Sequence, residues 1–371
     1  SAVPNWVRKT AQVVDPYYRD TYDTNPLKKA GKELVAAIPF ASQMLPKKYD
    51  TLGKEQRRYD DGDLIGSTID TMVTPWDTNT YETNEDMYNK VKSTGLNSYD
   101  VCFPSDYMTA RMIDEDMLAE INFDNIPNYS NVLDAYKNQA YDPENKFSVP
   151  YTWGTVGIIY NSKYVDEEDV TGWELLWNEK YAGKILMIDN SRDAFGIAQY
   201  LLGYDVNTMD KDELQHCAEK LAEQRPLVQQ YVMDQIYATM QNEEAYIATY
   251  YAGDCMLMME ENENLAFYLP EDQGFNLFID AMCIPNCCRE KEAAELFINF
   301  LCDPEISGAN MDYICYASPV SAAKEYMEEY LATSEVVYPS EEVLTNGTRY
   351  EYLPEEITQL VDRLFMEVRN G

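Results

Sequence analysis

Histidine is almost missing from this chain: of 371 residues only one, His216, is of that type. In the helical pattern ELQHCAEKL its neighbour Cys217 cannot face it across a turn, which removes a Cys–His nucleophile pair. The strings GxSxG, GxxxxGK[ST] and HExxH are also absent, so the common serine-hydrolase, nucleotide-phosphate and zinc-peptidase sites have no carrier. No CxxC pair occurs, and the one cysteine cluster, Cys283, Cys287 and Cys288, lacks the partners and spacing of a zinc site. These absences leave no expected catalytic residue, metal or cofactor. No apolar run approaches the roughly 20 residues needed to cross a bilayer. The opening SAVPNWVRKT lacks the apolar core of a signal peptide, so an exported form would have lost or replaced its signal.

Basic residues are scarce, and unevenly so. Against 65 Asp and Glu stand 29 Lys and Arg, a net charge of -36. Residues 1–77 hold 11 of each sign, so the whole imbalance, 54 acids against 18 bases, lies after position 77. All eight cysteines lie there too. A shift this sharp divides the chain into an amino-terminal segment, 1–77, and an acidic body. An acidic body repels nucleic acid and draws cations from a distance. The cysteines stand in apolar strings such as VCF and MCI, where a free thiol behaves as a small buried hydrophobe. Most of them are expected to be reduced and buried.

Segment 1–77 reads as helix pieces and loops, with a helix after Pro26 and breaks at Pro39 and Pro46. Its polar stretch from Lys47 to Gly66 is the expected first site of proteolysis. From position 78 strands and helices alternate. Helices are expected at 85–93, 107–120, 173–177, 194–202, 211–223 and 291–301. Strands are expected at SYDVCFP, VGIIYN, KILMID, AYIATYY, CMLMM and FNLFIDAMCIP. That alternation predicts α/β lobes with mainly parallel sheets.

Five strings fall in a fixed order: TYETNEDMY, FPSDY, VPYTWGT, NSRDAF and IDAMCIP. Their order resembles that of the spermidine/putrescine-binding proteins of polyamine ABC transporters, over roughly residues 78–371. Residues 1–77 lie outside the resemblance; IPFASQMLPKKYDTLGKE and TIDTMVTPWD are weakly similar to a region of phage and mobile-element polyvalent proteins. The family resemblance implies a two-lobed, type II periplasmic-binding-protein-like α/β fold with the ligand in the cleft. It implies lobe one at 78–154 and 279–324, and lobe two at 155–278 and 325–371. It also implies a receptor on the periplasmic or extracellular face of the membrane, peripheral to it through a permease, and no enzyme. Two other readings stay open: a binder of another small cationic solute, or a fusion or mobile-element protein whose lobes are structural or vestigial.

A polyamine is a methylene chain with an ammonium at each end, so its site needs separated carboxylates with aromatic faces between them. The resemblance places such contacts at Ser105 and Tyr107 in FPSDY, Asn190 and Asp193 in MIDNSRDAF, Tyr251 in IATYYAGD, Phe278 and Asp280 in NLFIDAMCIP, Tyr316 in CYASP and Tyr350 in NGTRYE. Five of them have a plainer alternative. Tyr107, Tyr251 and Tyr316 could be core packing, Asp193 a helix N-cap, and Asp280 half of a structural ion pair. Arg192 is expected to orient the carboxylates. Trp153 is expected in the core near the hinge, where Gly154 lets the chain cross between lobes.

Overall fold

The structure is a computed structural model that describes residues 81, 83–93 and 99–371. The chain divides into two units after Thr80, and the described residues belong to the second. The expectations for residues 1–77, including the helix after Pro26 and the cleavable stretch from Lys47 to Gly66, lie outside the described residues.

The strings VPYTWGT and VGIIYN form one strand, β1, Ser148–Asn161, with 12 of 14 positions buried. A strand covered on both faces reads as a continuous apolar run instead of an alternating one. Its first half lies antiparallel to β6, Phe275–Cys283, from Ser148↔Cys283 to Thr155↔Leu277. Its second half lies antiparallel to β4, Ile247–Tyr251, and to β5, Leu265–Tyr268. Next to β4, strands β2, Ile185–Ile188, and β3, Val228–Val232, pair parallel. Gly347–Thr348, β7, pairs parallel with β6. The order is β3-β2-β4-β1-β6-β7, with β5 also on β1. The sheet is therefore mixed, which corrects the expectation of mainly parallel pairing: burial pattern reports which faces are covered and carries no strand direction.

Nine helices of seven residues or more dress this sheet among the described residues: α1, Asn84–Ser93; α2, Asp106–Asp114; α3, Ser191–Leu202; α4, Lys211–Gln224; α5, Gln235–Gln241; α6, Ala252–Glu261; α7, Lys291–Leu301; α8, Pro304–Ile314; and α9, Glu355–Asn370. The string CMLMM, expected as a strand, lies inside α6. Cys255, Met256 and Met258 are all buried there, and a short helix buried nearly all round has the same apolar run as a strand. The turn from Trp173 to Trp177 is 3-10 and not α-helical. Helix α2 stops at Asp114, short of the expected Glu120, because Asp116 turns to a left-handed φ of 53°. The sequence reading passed over α9, whose Ile357, Val361, Leu364, Phe365 and Val368 bury one face at helical spacing.

Four apolar clusters result. One surrounds Trp173, Ile185, Phe195 and Phe365; a second gathers Val149, Met282 and Ile298, a third Met108, Met112 and Cys283, and a fourth Trp153, Ile279, Met311 and Leu331. β1 and β6 feed the first two and the fourth: Ile158 and Phe278 enter the first, Val149 and Met282 the second, Trp153 and Ile279 the fourth. Where they cross, Trp153 is 3% exposed, and its indole stacks on Tyr136 and donates to the Ser318 carbonyl at 3.3 Å. Gly154 is needed beside it, since a Cβ there would meet the Phe278 ring at 2.9 Å. The result is an α/β fold in which the two long strands, β1 and β6, are shared between clusters. Six of the eight free thiols are buried, and Cys287 and Cys288 are half-buried.

Candidate functional site

Asp280 is the single charge in the apolar string of β6, and the structure gives it a special position. Opposite it, the pairing of β1 slips between Pro150 and Thr152, a bulge that bends the strand and re-aims side chains. Its Oδ1 accepts the Ser105 hydroxyl at 2.6 Å. Ser105 is in turn clamped by Asn84 of α1, whose amide donates to Ser105 Oγ and whose Oδ1 accepts the Ser105 N–H, both at 3.0 Å. Burial pushes the Asp280 carboxyl up to about 6, the Ser105 bond pulls it down and the nearby Asp254 charge pushes it further up. Asp280 forms no ion pair among the described residues, so its companion is a hydroxyl and its negative charge is not cancelled.

Asp193 is the counterpart on α3. It is 4% exposed, and its Oδ2 accepts the Tyr251 hydroxyl at 2.8 Å. Burial raises its pKa to about 6 despite Tyr251, Arg192, Asn276 and Tyr350, all of which lower it. It is not the N-cap of its helix: Asn190 takes that place, its side chain accepting the Asp193 N–H at 3.0 Å. Asn190 thus has a structural duty that positions Asp193. Arg192 turns away from the carboxylate to the Val206 carbonyl and Asn207, both at 2.8 Å, and its guanidinium lies 4.2 Å from the centre of the Tyr350 ring. It fixes Tyr350, which is buried against Gly196.

Between the two aspartates runs a row of rings. Tyr251 meets Phe278 edge-on at 5.5 Å, and Phe278 meets Tyr316 at 6.2 Å. Two further carboxylates, which the sequence reading missed as contacts, stand at the ends of this row. Asp254, on the first turn of α6, accepts the hydroxyls of Tyr237 and, at 2.5 Å, Tyr316. Glu85, on α1, accepts the Tyr107 hydroxyl at 3.1 Å, and the charge of Asp193 reaches both. Burial raises the pKa of both acids. Their sequence signal was faint: each falls inside a matching string, TYETNEDMY or IATYYAGD, among 54 acids. The structure therefore brings together Ser105, Tyr107, Asp193, Tyr251, Phe278, Asp280 and Tyr316, with Tyr350 behind Asp193, and gives Asn190 to the backbone. Every carboxylate is held by a neutral hydroxyl, an arrangement that leaves net negative charge for a cation to meet.

Tyr316 depends on Gly253, where an added Cβ would lie 2.3 Å from the ring. Gly253→Ala should displace that ring from Asp254 and weaken cation binding roughly tenfold, the effect of losing one charge-assisted hydrogen bond. Titration calorimetry with unchanged affinity would show that the ring is no part of the site.

The family of bacterial extracellular solute-binding proteins matches residues 97–343. The spermidine/putrescine-binding periplasmic protein of Escherichia coli (strain K12) is 31% identical over 268 residues, covering 72% of this chain and 77% of that protein. Among solved structures, a putative spermidine/putrescine ABC transporter protein from Listeria monocytogenes superposes with a TM-score of 0.74 at 32% identity, covering 78% of this chain and 89% of that one. The spermidine/putrescine ABC transporter substrate-binding protein of Streptococcus pneumoniae superposes with a TM-score of 0.69 at 34% identity, over 78% and 89%. With an α/β fold built on β1 and β6 and a charged, ring-lined site beside them, this chain belongs to the bacterial extracellular solute-binding protein family.

Proposed function

We propose that this chain is a receptor, on the outer face of the cell membrane, that captures a linear polyamine, spermidine or putrescine, and hands it to the permease of an ABC transporter. The observation that carries this is the row Tyr251–Phe278–Tyr316, with Asp193 and Glu85 at one end and Asp254 and Asp280 at the other. Methylenes pack on rings, ammonium groups are attracted to ring faces, and each end finds carboxylates. We assign Ser105, Tyr107, Asp193, Tyr251, Phe278, Asp280 and Tyr316 as ligand contacts, and add Glu85 and Asp254. Asn190 and Tyr350 support Asp193. Residues 78–154 with 279–324 and residues 155–278 with 325–371 are the two bodies that close on the ligand. The relatives' names carry the same chemistry.

The family is one of binding proteins. Away from the site, His216 bonds Tyr204 at the surface at 2.7 Å, and burial pushes the Cys217 thiol up to about 12, so these two residues make no thiolate–imidazole pair. Thermal shift with putrescine, spermidine and lysine tests the reading, since a ligand bound only by the folded state raises its melting point. Both polyamines should give shifts of several degrees and lysine little; no shift and no heat at millimolar polyamine overturns it. Asp280→Asn should weaken binding by roughly 1.5 to 3 kcal/mol, the range for a hydrogen bond to a charged group. Unchanged binding per folded molecule would return Asp280 to a structural role.

A further inference from the structure

On the edge of β6 away from β1, residues 102–105 lie as a short antiparallel partner. Cys102 N–H donates to the Cys283 carbonyl and Cys283 N–H to the Cys102 carbonyl, both at 2.9 Å, and Ala281 N–H donates to the Pro104 carbonyl at 2.9 Å. The ladder runs from Cys102↔Cys283 to Ser105↔Asp280. Cysteines directly opposite in such a hydrogen-bonded pair have Cα atoms about 5.5 Å apart and side chains on the same face. A disulfide takes Cα atoms about 4.4–6.8 Å apart, which this pairing meets, and Cβ atoms about 3.5–4.5 Å apart; opposed Cβ atoms in a hydrogen-bonded pair stand nearer 5.5 Å, so closure draws the two strips together by about 1 Å. Both side chains enter one apolar cluster with Met108 and Met112, Cys102 at 5% and Cys283 at 0% exposure, and Cys102 Sγ lies 3.7 Å from the Cys283 carbonyl oxygen. Of the eight cysteines, all free thiols in the structure, these two are the pair that strand pairing sets face to face among the described residues.

We propose that Cys102 and Cys283 are a disulfide site, a redox staple that ties the strip carrying Ser105 and Tyr107 to the strand carrying Asp280. An extracellular protein meets the oxidising surroundings in which such bonds persist. Two thiols lose two protons and two electrons, one S–S bond forms, and the oxidant, a small-molecule disulfide such as oxidised glutathione, is cleaved to two thiols. Burial raises the pKa of both thiols in the folded chain, so thiolate is scarce there and closure takes place as the chain folds. The loop closed between positions 102 and 283 is long, the case in which a crosslink most restricts the unfolded chain.

The full chain, reduced and denatured, is refolded in a glutathione redox buffer and mapped by mass spectrometry without reduction. A mass lower by two protons and a crosslinked peptide joining Cys102 to Cys283 are expected. Oxidised protein should melt roughly 5–10 °C above the same protein in dithiothreitol. Cys102→Ser should melt at one temperature in both buffers, and Cys283→Ala serves if that variant does not fold. No crosslink, a crosslink through Cys287 instead, or equal melting of oxidised and reduced wild type each overturns the staple. Because none of these readouts involves an amine, they succeed or fail independently of the ligand assignment.

Discussion

Spermidine affinity should fall about a hundredfold between pH 7.5 and pH 5. Asp193 and Asp280 both have carboxyls raised by burial to about 6. At pH 5 about one in ten of each is ionised, so if binding needs both charged, the two penalties multiply to about a hundredfold, or about 2.7 kcal/mol. The ligand contributes nothing to the change, since aliphatic ammonium groups titrate near 10. Binding should also release protons: as the ammonium arrives, it draws the carboxyl pKa values down, so protons leave the protein on binding near pH 6. Calorimetry at pH 5, 6 and 7.5 in buffers of different ionisation enthalpy reads both effects. A flat profile with no buffer dependence would mean that neither aspartate meets the amine. Asp193→Asn should bind more weakly at pH 7.5 and should lose about one of the two powers of ten in the pH dependence.

What the sequence disclosed of this site and what it hid have separate physical reasons. Asp280 was legible because one charge in a nine-residue apolar strand must have a partner or a cleft. Asp254 was not, because its meaning lies in Tyr237 and Tyr316, 17 and 62 positions away; locally it is an acid on the first turn of a helix, where any acid is favourable. Glu85 was hidden for the same reason, its Tyr107 partner being 22 positions off. Asn190 was read as a ligand contact, yet its position just before Ser191–Leu202 is the ordinary place of a capping amide. The helices with a clear apolar stripe, Lys211–Gln224 and Lys291–Leu301, matched within a residue. Strand direction did not follow, because nothing in the composition of Ser148–Asn161 tells whether its neighbours run with it or against it.

The ligand-free protein should show the opposite pH response, losing stability as pH rises from 5 to 8, and Asp106 is the largest source. It is 2% exposed, its Oδ1 accepts the Tyr107 N–H at 2.8 Å, and its Oδ2 has no partner. Burial, with the Asp280 charge adding to it, raises its carboxyl from 3.8 to about 7, while the Tyr107 N–H and Arg349 pull it down. A carboxyl whose pKa is raised on folding binds more protons folded than unfolded across that window. Its contribution is therefore fully present below about pH 4 and is lost as pH rises through 7. About two pKa units of the window lie above pH 5, which amounts to on the order of 3 kcal/mol. Asp106→Asn keeps the acceptor for Tyr107 and puts an uncharged amide where Oδ2 was, which also removes a charge that acts on the buried Tyr141 hydroxyl. Its gain in stability over wild type should be larger at pH 8 than at pH 5 by about that amount, read as urea midpoints at the two pH values. An equal change at both would show that Asp106 carries no charge to relieve, and the fall in wild-type stability would then belong to the ligand carboxylates alone.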